Sequence, residues 1–382
     1  MQYEIEIGER VKREIKKGRQ VFSVNWIKKI EAEPGELVKL KYNNNFLAWG
    51  IINPKDPYHY IRIFSYNEDI DIYNEIKEKI KKAKEYREKR INYKNHYRLV
   101  YSESDFLSGL IIDKYNDIFV IQNSNAFFDK NINLLKNALI DIYGKDITIY
   151  EKSIGKQRER TYLKPIERFI YGNKYETEIE EVNKKFYINI LKGQKTGWFL
   201  DQRENRKIVS QLYGDKILDV FSYSGSFGII INGEERYFVE KNKEAVSMLY
   251  KNLKLNNIEN YNVINGNAYK ILKQFYLEKR KFDIIILDPP DLLAEDYEKG
   301  IRSFILINSI ALDLIDEGYL ITFSCSQDLN ERKFYSLIRT LIRRKNKKFE
   351  ILYKFNQALD HKVIFPHKEL LYLKGFLIEI KK

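Results

Sequence analysis

Downstream of Gly193, short apolar runs alternate regularly with helical segments, and this alternation restricts the fold more than any other feature of the chain. The runs are Lys216–Phe221, Arg236–Glu240, Asn262–Asn265, Phe282–Asp288 and Tyr319–Ser324. Strands that read as nearly continuous apolar stretches, each followed by a helix, predict a mainly parallel sheet with helices on both faces. In such doubly wound α/β sheets, ligands bind beyond the carboxyl ends of the strands, so the residues that close these runs are the first candidates for chemistry.

Three of those endings stand out. Asp219 closes the first run, and Phe221-Ser222-Tyr223-Ser224-Gly225 with Gly228 leads into a helix, where small residues let backbone amides approach a ligand. Glu240 closes the second run, at about the distance from Asp219 at which an acidic side chain reaches ribose hydroxyls; Asn267, after the third, could accept from an adenine amine. The glycine spacing is not G-x-G-x-x-G, which favours S-adenosylmethionine over NAD. Phe282–Leu287 is followed by Asp288-Pro289-Pro290, and Tyr319–Ser324 by Cys325, the single cysteine of the chain. A thiolate suits attack on an electron-poor ring carbon, the step a pyrimidine needs before methylation at carbon 5. Asp288, expected near Cys325 in space, could hydrogen-bond nitrogen 3 and the exocyclic amine of a cytosine, provided it is protonated or shares a proton as the thiolate adds. The base must be unpaired or flipped, and Phe221, Tyr223 and Trp198 are candidates to stack on it, core packing being the ordinary duty of such rings.

Length and charge set the frame. A chain of 382 residues predicts two or three domains, taken here as 1–66, 67–192 and 193–382. Lysine and arginine number 67 against 54 acidic residues, a formal +13, which points to a polyanionic partner, RNA in this reading. The longest apolar runs fall far short of a membrane span and Met1–Lys17 builds no apolar signal core, so a cytoplasmic protein without a membrane partner is expected. One cysteine and four dispersed histidines, His59, His96, His361 and His367, imply no metal site. Oligomeric state is left open, a homodimer included.

Before Gly193, short runs at Val21–Val24, Leu37–Leu40, Phe46–Ile52 and Tyr60–Phe64, separated by Pro, Gly and Asn clusters, predict a small β-barrel. Ile72, Ile76, Ile80 and Ala83 predict a helix over Ile70–Tyr93. The basic residues from Lys77 to Arg98 read first as a solvated face and second as an RNA phosphate contact, as do Arg339, Arg343, Arg344, Lys345, Lys347 and Lys348. Residues 97–192 predict six strands and one helix, an α+β domain.

The whole chain resembles the RlmI-type 23S ribosomal RNA 5-methylcytosine methyltransferases. The likeness is carried by Tyr97-Arg98-Leu99 with Glu103–Leu110, by Lys195–Arg203, by Phe221–Gly225, by Asp288-Pro289-Pro290, by Phe323–Ser326 and by Tyr372–Phe376. It implies an N-terminal PUA domain, a central α+β domain, a C-terminal class I methyltransferase domain and large-subunit ribosomal RNA as partner. It also implies Cys325 as nucleophile and Gln202 and Arg203 near the methionine end of S-adenosylmethionine. The cofactor set expected on this reading continues through Asp219, Phe221, Ser222, Tyr223, Gly225 and Phe227, then Glu240, Lys241, Asn267 and Ala268, and ends at Asp288 and Pro289. The chain departs from the family at Asn267, where Asp is usual, at Asp291, where Lys is common, and at Gly18–Phe22. Asp360-His361 reads as a turn or as a proton shuttle. Two other readings compete: a guanine N-methyltransferase of the same fold, and a non-catalytic RNA-binding assembly protein.

Overall fold

The computed structural model describes residues 3–381, which divide into two compact units. The first comprises the chain up to Thr177 together with Gln194–Trp198 and Asp360–Leu370. It holds two sheets. One is built from β1 (Tyr3–Glu6), β2 (Val21–Phe22), β3 (Leu37–Tyr42), β4 (Asn45–Ile52) and β5 (Ile61–Ser65), in the order β1-β3-β4-β5-β2. β1 runs parallel to β3 and the other pairs are antiparallel. Among the described residues the edge strands β1 and β2 do not pair, so the expected barrel is an unclosed sheet; β2 is only two residues long. β1 was not foreseen, because it is only four residues long, too short for its alternation to stand out. The helix Glu9–Lys16 buries Val11 and Ile15 in the same core as Ile5, Val38, Leu40 and Ile61.

The second sheet has the order β10-β9-β8-β7-β6, from β6 (His96–Tyr101), β7 (Leu110–Tyr115), β8 (Ile118–Asn123), β9 (Thr148–Ser153) and β10 (Ile166–Tyr171), the last unforeseen. The helix Ile72–Glu85, with Asp71 capping its first turn, buries Ile76, Ile80 and Ala83 as the spacing predicted. Most of the basic residues from Lys77 to Arg98 have carboxylate partners in the chain, the lysines in pairs at the surface and two arginines in buried ones. Lys77 pairs with Asp141, Lys81 with Glu78, Lys84 with Glu88 and Lys89 with Glu85. Arg87 is fully buried and binds Asp105 through two hydrogen bonds of 2.6 and 2.8 Å, and Arg98 binds Asp113 at 2.8 and 3.0 Å. Asp360 is part of this network: its carbonyl accepts from Arg87, one carboxylate oxygen accepts from the Arg98 backbone N–H, and the other meets His361 Nδ1 at 2.7 Å. Asp360-His361 is thus a buried clip in the first unit, the turn reading of that pair.

The second unit begins at Glu178, within β11 (Glu176–Glu181), which forms a hairpin with β12 (Lys184–Asn189), and it contains a seven-stranded sheet. The sheet strands are β13 (Tyr213–Val220), β14 (Asn232–Glu240), β15 (Tyr261–Asn265), β16 (Ile284–Leu287), β17 (Gly318–Ser324), β18 (Lys348–Asn356) and β19 (Lys374–Lys381). Their order is β15-β14-β13-β16-β17-β19-β18, the first five parallel and the last two antiparallel additions. The five predicted strands are all present. The β18–β19 pair was missed, because β18 is an edge strand whose residues are mostly exposed and carry no one-sided alternation. Ile284–Leu287 is fully buried, as a central parallel strand requires. Arg206, also fully buried, is neutralised by Glu181 of β11 at 2.5 and 3.0 Å. No helix among the described residues is long and apolar enough to cross a membrane.

Where β19 meets β17, Gly375 lies against Phe323, whose ring packs between Phe227 and Phe355. A Cβ at position 375 would fall 2.4 Å from that ring. We therefore expect Gly375→Ala to lower the unfolding free energy by about 1 to 3 kcal/mol through overpacking, measured by urea denaturation. An unchanged midpoint would contradict this account of the seam.

Candidate active site

The strand order reverses between β13 and β16, where the sheet runs toward β15 on one side and toward β17 on the other. Their connections leave in opposite directions, which opens a crevice at the carboxyl ends. The loop Phe221–Gly225 leaves β13 here and Asp288–Asp291 leaves β16, while Cys325 directly follows β17. The register pairs Val220 with Leu287 and Leu287 with Thr322, so all three loops open at the same edge of the sheet.

The β13 loop is tightly wound. Phe221, Tyr223 and Gly225 all have left-handed backbone, with φ of 64°, 50° and 86°. Such a conformation is costly for the two aromatic residues and persists only because its surroundings hold it. Val239 carbonyl accepts from the N–H groups of Phe221 and Ser222, and Glu240 Oε2 accepts from the Tyr223 N–H at 2.8 Å. Gly228 N–H donates to Asp219 Oδ2 at 2.9 Å, and a Cβ on Gly228 would lie 2.5 Å from the Phe238 ring, so only glycine lets the helix come down onto the sheet here.

Two features fit a bound nucleotide-bearing cation. Ser222 Oγ and Ser224 Oγ are buried in this loop without a hydrogen-bond partner, polar atoms whose needs a ligand can meet. Asp219, Glu240 and Asp288 also converge. Burial raises the Asp219 carboxyl to about 7, the Asp288 and Glu240 charges add to the rise, and the Gly228 N–H opposes it. A cationic ligand would relieve this mutual repulsion.

Asp288 is held from the other side. Gln202, buried in the turn Leu200–Gln202, donates Nε2–H to Asp288 Oδ2 at 3.0 Å, while its Oε1 accepts from Asn205 at 2.6 Å. Asn205 also donates to the Asn356 carbonyl, so the Gln202 amide has one orientation. The turn is fixed by Asp201, which accepts from the Tyr372 hydroxyl at 2.5 Å and, through its carbonyl, from the Ala358 N–H. Arg203 follows as the first residue of the helix Arg203–Val209 and is partly exposed.

Cys325 is half-buried, its Sγ 3.9 Å from the Pro289 carbonyl oxygen, so the thiol borders the Asp288 loop rather than a sealed apolar pocket. Lys374, quoted above in a motif but given no role, is the residue sequence reasoning missed. The β17–β19 register pairs it with Ser324, and its ammonium donates to the Ser326 carbonyl. Burial lowers its pKa, with the charges of Cys325, Asp291 and Glu331 opposing.

Other expected residues are placed differently. Asn267 caps the helix Ala268–Leu277, its Oδ1 accepting from the Lys270 N–H at 3.1 Å, with Ala268 opening that helix. Phe227 is buried against Phe323, and Lys241 is exposed, its carbonyl accepting from Asn265. Tyr223 packs edge-on against Phe199 at 5.1 Å inside a small cluster with Ala245 and Met248, Phe221 packs against the main core, and Trp198 is buried in the first unit. All three rings have packing partners, and Phe221 keeps part of its surface exposed.

The chain matches two family models: a PUA-like domain over residues 5–66 and the family described as conserved hypothetical protein 95 over residues 204–351. It is 38% identical over 360 residues to a Methanocaldococcus jannaschii protein provisionally named ribosomal RNA large subunit methyltransferase MJ1653, covering 92% of this chain and 90% of the relative. Ribosomal RNA large subunit methyltransferase I of Tolumonas auensis is 32% identical over 371 residues, covering 92% and 93%. A solved structure of a provisionally named methyltransferase complexed with SAH superposes with a TM-score of 0.82 at 19% identity, over 99% of this chain and all of that one.

The raised Asp219 carboxyl gives a pH signature. Its native form holds a proton more tightly than the unfolded chain does, so its contribution to stability is full below about pH 4 and is lost as pH rises through about 7. Relative to Asp219→Asn, the ligand-free protein should lose about 4 kcal/mol of unfolding free energy between pH 4 and pH 8. Urea denaturation at the two pH values measures this, and parallel pH dependence of the two proteins would contradict it.

Proposed function

The chain belongs to the family of ribosomal RNA large subunit methyltransferases, and from that premise we propose that it forms 5-methylcytosine in large-subunit ribosomal RNA through a covalent Cys325 adduct. The observation that carries this reading is the placement of Cys325 and Asp288 at the ends of the adjacent parallel strands β17 and β16, beside the strand-order reversal. S-adenosylmethionine, when bound, supplies an electrophilic methyl group. Glu240 is suited to its ribose hydroxyls, and Ser222, Ser224, Asp219, Gln202 and Arg203 to its polar remainder.

The remaining chemistry belongs to the protein. Carbon 5 of an aromatic cytosine is a weak nucleophile. Addition of the Cys325 thiolate to carbon 6 forms the S–C6 bond and moves the ring electron pair onto carbon 5. Asp288, oriented by Gln202, is suited to hold the exocyclic amine of the target as acceptor and, when it carries or shares a proton, to donate to nitrogen 3, which takes up the charge as the thiolate adds. After carbon 5 is substituted, its proton leaves to a base, the electron pair reforms the C5–C6 double bond and the S–C6 bond breaks. The basic balance of the chain favours RNA, and the family match places a PUA-like module at residues 5–66. Direct transfer to a guanine nitrogen would need no thiol, and a non-catalytic binder would need no carboxylate-lined crevice.

Cys325→Ala should lower methylation at least about a thousandfold while S-adenosylmethionine affinity by calorimetry stays within about twofold of wild type. RNA carrying 5-fluorocytidine should trap a covalent adduct with the wild-type protein and none with Cys325→Ser. Near-wild-type methylation by Cys325→Ala would refute the adduct.

A further inference from the structure

We propose that Lys374 is a positioning residue of this site, its ammonium holding the Cys325 sulfur in the ionised, attacking form. The proposal rests on the reading of Cys325 as nucleophile and begins from geometry. β19 runs antiparallel to β17, and the register sets Lys374 opposite Ser324, the last residue before the cysteine. Its side chain turns to the Ser326 carbonyl, the first residue after it. Lys374 is therefore tied to the chain on both sides of the thiol, through its backbone register before it and its ammonium after it.

The carboxylates next to this pair give a cation a role there. The loop after β16, whose Pro289 carbonyl lies 3.9 Å from the thiol, carries Asp288 and Asp291, Asp328 follows the cysteine by three residues, and the charge of Asp291 reaches Lys374. The helix Glu331–Arg344 contributes Glu331, but Lys354 of β18 pairs with it at 2.6 Å, and Lys333 of the same helix is hydrogen-bonded to Tyr297. Without Lys374 these groups would leave an excess of negative charge near a thiol that must lose its proton to water before attack. Among the described residues Lys374 has no carboxylate within ion-pair distance, and its one hydrogen-bond acceptor is neutral. It is half-buried, so solvent screens it less than a surface lysine. The charges that act on it include Cys325 itself.

Because Cys325 is the single cysteine of the chain, its ionisation can be read directly on the intact protein. Iodoacetamide alkylates the thiolate, forming the S–C bond and releasing iodide, and the rate against pH follows the thiolate fraction. Lys374→Gln removes the charge and keeps a donor for the Ser326 carbonyl. It should move the midpoint of the profile up by about one pH unit and slow alkylation at pH 7 about tenfold. Lys374→Met, which removes charge and donor together, should shift the profile in the same direction, while Lys374→Arg should keep the wild-type profile. Should Lys374→Gln fail to fold, the Lys374→Met and Lys374→Arg pair makes the same comparison. An unchanged midpoint in a folded neutral variant overturns the proposal, whatever the methylation assay gives. If Cys325→Ala keeps methylation while the profile still shifts, the nucleophile assignment fails and with it the catalytic meaning of Lys374.

Discussion

The reversal of strand order between β13 and β16 is the constraint on which the rest of this molecule depends. Parallel strands need crossover helices, and where successive crossovers leave in opposite directions no connection covers the strand ends. Into that gap the chain delivers a left-handed aromatic loop from β13, a carboxylate and two prolines from β16, and a thiol from β17. None of these would be a candidate site alone; they share one edge of the sheet.

Around the gap, polar groups are held by a few strongly determined contacts. Gln202 has no freedom to rotate its amide, because Asn205 and Asp288 take its two ends, and the turn that bears it is fixed through Asp201 to Tyr372. Glu240 spends both carboxylate oxygens on backbone N–H groups, one from Tyr223 and one from Asn242, which fixes the β13 loop to the end of β14. Such preorganisation means little reorganisation remains when the site is used. The Asp219 carboxyl, raised by burial beside two other acids, marks where charge is still uncompensated.

Much of this was legible in the sequence because buried parallel strands write themselves as apolar runs, and the polar residues that close them stand out. Ile284–Leu287 followed by Asp288, and Tyr319–Ser324 followed by Cys325, needed no structure to be noticed. What was not legible depended on tertiary pairing. β18 carries charges through its length with no clean alternation, and β1 is only four residues long, too short for its alternation to stand out. Lys374 could not be linked to Cys325 until the antiparallel register brought distant segments side by side. The packing of Tyr223 against Phe199 and the capping of the helix Ala268–Leu277 by Asn267 likewise depend on segments brought together by the fold. The four N-terminal strands that were expected are present, while closure into a barrel depends on pairing between the edge strands, and β2 is only two residues long.

The central claim, that carbon 5 of a cytosine is the acceptor, is tested most directly by isotope release. Large-subunit ribosomal RNA transcribed with [5-³H]cytidine would be incubated with the protein and S-adenosylmethionine, and tritium in water counted against methyl groups in RNA. Substitution at carbon 5 predicts one tritium released for each methyl incorporated. Methyl incorporation with no tritium release would contradict the account and place the acceptor on another atom.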